Sequence, residues 1–250
     1  MRLGHRRLAL LLPACAGLAG VLTWGLAGMP SFGAVRGDYA HYLAVHAPGQ
    51  RHVSNVVAAV VFDYRGWDTA GEELIMFAAV MGTALLLRAH REEAVEPPGD
   101  QVSSEAVRSV GAPAVGLVLL VGLWTMSFGY LTPGGGFQGG VVAASAALLT
   151  WVAGSYRRFR RVTPAAVVDA AEGAGASGFL AIGLLGLASG TAYLGNVLPL
   201  GNRGSLASTG TIAVLNTATG LEIAAACVLI FREFLEEYAD MLGDPGGDRR

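Results

Sequence analysis

Six runs of mainly apolar residues constrain this chain more than any other feature. They lie at 8–29, about 71–87, 112–130, 137–153, about 175–194 and about 209–231. A run of about 20 apolar residues matches the hydrocarbon thickness of a bilayer. Inside lipid the backbone polar groups must find partners within the segment, so such runs fold as helices. Composition agrees, with 53% of residues hydrophobic and 14% charged, against about 25% charged in soluble domains. The expected fold is an all-α integral membrane protein with six transmembrane helices. A further apolar stretch at 54–64 has about half the length needed to cross. It is expected to form a short half-membrane or interfacial helix.

The charges set an orientation. Arg2, Arg6 and Arg7 precede the first run. That run exceeds the 7–15 residues of a signal-peptide core, and no A-x-A site follows, so a retained span is expected rather than a cleaved leader. All 17 basic residues are arginines. If the N-terminus is cytoplasmic and each run crosses once, arginines 2, 6, 7, 88, 91, 108, 157, 158, 160, 161, 232, 249 and 250 fall inside. Arg36, Arg51, Arg65 and Arg203 fall outside. This thirteen-to-four division follows the positive-inside rule, so both termini of this multi-pass protein are expected in the cytoplasm.

Between the runs, 30–52 is polar, and the spacing of His41, His46 and His52 suits neither one helix face nor a zinc knuckle. A solvated loop is expected there. Cys15 and Cys227 lie in apolar runs and are read as small packing residues. The stretch 92–111 contains Glu-Pro-Pro-Gly-Asp and several serines, the composition of a linker. It divides the chain into 1–91, the linker 92–111, and 112–250. No H-E-x-x-H, C-x-x-C or G-x-S-x-G occurs, and the chain has no lysine. No catalytic, metal or cofactor site is expected, and no nucleic-acid partner.

Between the third and fourth runs lies Tyr130-Leu-Thr-Pro-Gly-Gly-Gly-Phe-Gln-Gly-Gly140. Pro133, Gly134, Gly135, Gly136, Gly139 and Gly140 suit neither helix nor strand, so a closely packed irregular turn is expected, on the outer side. If the φ of Gly136 is positive, a β-branched residue in its place is expected to prevent assembly. Gly134, Gly136 and Gly139 also match G-x-G-x-x-G, but the helix-length runs on both sides and the missing acid near residue 159 exclude a dinucleotide site. Gly186 and Gly190 form a G-x-x-x-G that permits close helix contact.

Acidic residues in or beside the runs are the candidates for chemistry, because a carboxylate in a membrane is costly and marks an ion or proton path by default. Glu222 lies near the middle of the last run, with Asn216, Thr217 and Thr219 on the preceding turns. It is read either as a path residue or as a neutral interhelical hydrogen-bonding group. Glu72 and Glu73 open the second run, with Asp68 just before them. Thr69-Ala-Gly-Glu72 fits a capping box, which would account for Glu72 but not for Glu73. Asp169, Glu172, Glu233, Glu236 and Glu237 are expected on solvated faces.

The turn Thr132-Pro-Gly-Gly-Gly-Phe-Gln-Gly-Gly140, with Gly220-Leu-Glu-Ile-Ala-Ala-Ala226 and Phe231-Arg-Glu-Phe-Leu-Glu-Glu237, resembles the B subunit (MnhB/MrpB) of Mrp-type multisubunit sodium/proton antiporters. Ser54-Asn-Val-Val57 and Phe62-Asp-Tyr-Arg-Gly-Trp-Asp-Thr-Ala-Gly-Glu72 resemble the C-terminal, MbhE-like part of the antiporter A subunit. Glu73 departs from that pattern, which carries an apolar residue there. The resemblance implies a fusion: a two-span A-like segment joined to a four-span B-like domain. It also implies a non-catalytic subunit of a cation/proton antiporter, partnered by the other subunits and the bilayer, with Na+ and H+ as transported ions. Glu222, Glu72, Glu73 and Asp68 are then the ion-path candidates. In that family the large subunits carry lysine–glutamate channels, and a chain without lysine is not one of them. The alternative is a structural scaffold subunit in a related hydrogenase-type or complex I-like assembly.

Overall fold

The computed structural model describes residues 2–31, 33–34, 37–88 and 104–243. Among them all regular structure is helical. In chain order the helices are α1 (Arg2–Ala27), α2 (Asp38–Gln50), α3 (Val56–Ala59, running into a π turn at Val60–Tyr64) and α4 (Gly66–Arg88). They continue with α5 (Glu105–Phe128), α6 (Gly136–Val152), α7 (Tyr156–Val162), α8 (Ala165–Ala188) and α9 (Thr211–Gly243). Among the described residues α4, α5, α8 and α9 are long and apolar enough to cross a membrane. Leu11–Ala27 of α1 and all of α6 are shorter apolar helices.

Residues 1–41 and 42–250 form two separate compact units. In the second, α9 is the central helix and packs against α4, α5, α6 and α8. More than half of its apolar stretch is buried, whereas α5 buries almost none of its own. Two apolar cores result. One gathers Val53, Ala58, Phe62, Ala70, Tyr130, Phe179, Leu194, Ile212 and Leu215 at the end that holds the glycine turn. The other gathers Val80, Ala144, Tyr156, Phe159, Val168, Ala225, Leu229 and Leu235 at the arginine-rich end.

Several sequence expectations are corrected. The supposed loop at 30–52 contains α2, whose Leu43 and Ala47, four residues apart, bury one helical face. A bidentate Arg51–Asp63 pair (2.6 and 3.0 Å) fastens the end of α2 to the π turn. The second apolar helix starts at Gly66, not near 71, so Thr69 is already inside it. Its hydroxyl donates to the Val61 carbonyl (2.6 Å), and the capping box does not form. α5 begins at Glu105, with Ser104 as its N-cap, accepting from Val107 N. Of the expected linker 92–111, residues 92–103 lie outside the described residues.

The fifth apolar helix begins about ten residues early, directly after Pro164, and ends at Ala188, with Gly190 at φ +78° beyond it. Gly186 therefore packs on its own returning loop at Ala192–Gly195 rather than on another helix. The last helix runs on to Gly243, because Arg232 and Leu235 continue the buried face onto Tyr156 and Phe159. Glu233, expected on a solvated face, is consequently buried. The four arginines of α7 are exposed, while Tyr156 and Phe159 on the same short helix are buried. Cys15 is exposed rather than packed, and Cys227 is partly buried.

Candidate functional site: a carboxyl pair between two cores

The glycine turn is shaped by two asparagines. Asn216 of α9 accepts from Gly136 N (2.7 Å) and donates to the Met126 carbonyl, joining the start of α6 and the last turn of α5 to α9. Asn55 caps α3 through Val57 N (3.1 Å). Its amide nitrogen lies 2.6 Å from the Gly129 carbonyl and 3.1 Å from that of Thr132. The positive φ falls at Gly134 (+125°), not at Gly136. Gly136 is required for a different reason: a Cβ there would run into the Asn216 carbonyl and stand 2.9 Å from Gly220 N. At Gly140 a Cβ would come 2.7 Å from the Gly220 carbonyl. The turn thus lets α6 lie on α9 at backbone contact.

Below this turn, between the two cores, three carboxyl groups are buried: Glu73 of α4, Glu222 of α9 and Glu172 of α8. Glu222 is fully buried, and Glu73 and Glu172 are each 5% exposed. Glu73 and Glu222 line one cavity within electrostatic range of each other, and Glu73 also lies near Thr219, one turn before Glu222 on α9. Neither Glu222 oxygen, nor Glu73 Oε2, nor Thr219 Oγ1 has a well-formed hydrogen bond. Two carboxylates this close in apolar surroundings repel strongly, so a proton or a cation held between them stabilises the pair. Glu222 owes its position to Gly175 of α8, which leaves room for the Glu222 backbone.

Cavities approach the pair from two sides. One, of about 230 Å³, is lined by Glu72, Gln138, Asn216, Thr219 and the turn glycines 134–136. The other, of about 130 Å³, is lined by Glu73 and Glu222 with Leu74, Phe77, Phe179 and Leu180. Thr219 lines the first and lies near Glu73 in the second.

The four acids singled out from the sequence therefore separate. Glu73 and Glu222 meet. Glu72 is exposed at the first cavity. Asp68 is exposed and paired with Arg65 on the surface. Glu172, expected on a solvated face, joins the buried group. The early start of α8 puts it inside the helix, and that boundary was the signal missed. Among the described residues no group of three or more His, Cys, Asp or Glu side chains could hold a metal ion.

Residues 106–229 match a family described as "Domain related to MnhB subunit of Na+/H+ antiporter". An uncharacterized protein of Methanocaldococcus jannaschii, MJ1307, is 30% identical over 198 residues, spanning 69% of this chain and 74% of its own. This chain belongs to the MnhB-related family. The MnhB-related region carries the glycine turn, Glu172 and Glu222, while Glu73 comes from the segment before it. A chain of the membrane-bound sulfane sulfur reductase, an archaeal respiratory membrane complex, superimposes with a TM-score of 0.70 and 29% identity over 91% of this chain and 97% of that one. A chain of the Mrp complex from Dietzia sp. superimposes with a TM-score of 0.65 and 21% identity, over 97% of this chain and 26% of that longer one. The MnhB-related protein described here is a multi-pass membrane protein.

Proposed function

We propose that this protein is a non-catalytic membrane subunit of a complex that exchanges Na+ for protons, and that the Glu73–Glu222 pair is where the two ions compete. One observation carries the reading: two buried carboxyls from different helices face each other with oxygens left unpartnered, beside a cavity. A dehydrated monovalent cation and a proton can each neutralise that shared charge, and they cannot do so together. Glu72, Gln138 and Thr219 line the approach from the glycine-turn side. Asp68, held by Arg65 on the surface, lines neither of the two cavities beside the pair and takes no part in the exchange.

The MnhB relationship and the fold shared with the Mrp chain support this reading. The same proposal has α1, α4, α5, α6, α8 and α9 crossing the bilayer once each, with both termini cytoplasmic as the arginine distribution favours. It treats 92–111 as the joint between an A-like segment and a B-like domain. Single chains in both solved complexes span nearly the whole of this chain, which agrees with such a joint. The partners are the other subunits of an Mrp-type complex.

A second reading, a scaffold subunit of a redox-driven complex, is favoured by the higher identity to the sulfane sulfur reductase chain and the near-complete coverage of it. The deciding experiment measures Na+-dependent ΔpH in inverted vesicles holding the whole complex, with assembly followed on blue-native gels. Glu73→Gln and Glu222→Gln are expected to assemble and lose exchange. Glu72→Gln is expected to slow it, and Asp68→Asn to leave it close to wild type. Normal exchange by assembled Glu73→Gln and Glu222→Gln complexes would select the scaffold reading.

A further inference from the structure

Glu172 is buried in α8 with Oε1 unpartnered, and nothing in the reading above uses it. Its place follows from the α8–α9 contact. A Cβ on Gly175 would stand 2.6 Å from both Cβ and N of Glu222, and one on Gly178 would reach Ala218 at 4.0 Å, so the two helices run antiparallel. Glu172 stands one turn from Gly175 toward the arginine-rich end, about 4.5 Å along the axis. It is within electrostatic reach of Glu222 on one side and of Asp169, the next turn of its own helix, on the other.

Asp169 in turn lines a basin of about 560 Å³ together with Arg160, Thr163, Arg232, Glu233 and Glu236. Arg232 is 5% exposed; it donates to the Thr163 carbonyl, while its Nε has no partner. A polar basin of this size with a buried cation at its wall is roomy and polar enough to hold water. Along α8, Glu172 and then Asp169 thus descend one helical turn at a time from the level of Glu222 to this basin.

We propose that Glu172 is the proton relay between the Glu73–Glu222 pair and the arginine-rich end of the protein, with the basin at Asp169, Arg160, Arg232, Glu233 and Glu236 as its aqueous mouth. The proton leaves the Glu222 carboxyl, whose O–H bond breaks, and passes to an intervening water, which gives up a proton to an oxygen of ionised Glu172. Glu222 is left as the carboxylate that takes the cation, and Glu172 passes its proton to Asp169 or to water in the basin. The opposite cavity, at Glu72 and Gln138, then serves the cation.

This relay rests on the exchange function proposed above, and its test separates the two. Wild-type complex is treated with dicyclohexylcarbodiimide, which modifies protonated carboxyls in apolar surroundings, with and without Na+. Tryptic peptides 162–203 and 204–232 carry Glu172 and Glu222 separately. Adducts are expected at both residues, each formed more slowly in Na+, a response that a purely structural carboxyl would not give. In vesicles, assembled Glu172→Gln is expected to lose at least about tenfold in exchange rate, as removal of a proton-transfer group does, and Glu172→Asp to keep a measurable part. An adduct at Glu222 without one at Glu172 overturns the relay. So does Glu172→Gln exchanging at the wild-type rate while Glu222→Gln is inactive, and in that case the pair retains its role. If Glu73→Gln and Glu222→Gln also exchange normally, the exchange reading itself falls. Should Glu172→Gln fail to assemble, the adducts on wild-type protein decide.

Discussion

Gly175 and Glu222 meet at backbone distance: a Cβ added at Gly175 would stand 2.6 Å from the Glu222 amide nitrogen and 2.8 Å from its Cα. Those are main-chain atoms and cannot swing aside, so Gly175→Ala must push α8 off α9. Overpacking of this kind costs about 1–3 kcal/mol. The expected result is an apparent Tm of the complex lowered by several degrees, and slower exchange, since Glu222 and Glu172 are held by the same contact. Gly173→Ala on the same helix meets open space and should leave both quantities close to wild type. Differential scanning fluorimetry of the purified complex compares the two.

Thr219 sits where the cavity at the glycine turn ends and the carboxyl pair begins. Thr219→Val keeps the volume and removes the hydroxyl. That hydroxyl has no well-formed hydrogen bond to lose, so stability should hold, within about 1 kcal/mol. A cation passing Thr219 would lose one oxygen contact. The expected outcome is normal assembly with a several-fold higher Na+ concentration for half-maximal ΔpH, read from a sodium titration in vesicles.

Asn216 satisfies two backbone groups on two other helices, Gly136 N–H and the Met126 carbonyl. Asn216→Ala would leave both buried without a partner, at about 1–3 kcal/mol each. Gly136→Ala should be at least as damaging, although its φ is ordinary, because the added carbon meets the Asn216 carbonyl. Both variants should show reduced assembled complex on blue-native gels, whereas Gly116→Ala, facing open space in α5, should assemble normally.

Tyr156 donates to Glu236 Oε1 (3.1 Å). Burial first, and then the Glu236 charge, push its phenol up to about 12 from an ordinary value of 10. A raised value in the folded state means that the neutral phenol stabilises the fold fully below the unfolded value. That contribution is lost as pH rises from about 10 through about 12. Thermal stability of the wild-type complex should therefore fall across this window. Tyr156→Phe, which has no proton to lose, should start less stable and fall less steeply.

The chain's own residues determined that it lies in a membrane, which stretches form its apolar helices, and that a packed turn joins α5 to α6. These follow from local chemistry: apolar run length, arginine distribution, and a proline–glycine cluster that no regular element accommodates. Glu222 and Glu73 were legible for the same reason, since a carboxyl in an apolar run is costly wherever the run goes. Their meeting was not legible, because it depends on α4 and α9 packing side by side across more than a hundred residues of sequence. Glu172 and Glu233 were misjudged because their helices extend past the hydropathy boundary, and burial there is supplied by neighbours rather than by their own flanks. The constraint at Gly136 is contact with Asn216, a residue 80 positions away, which the local sequence does not show. Local sequence fixes conformational preference and desolvation cost; which buried groups share a space is decided only when the helices pack.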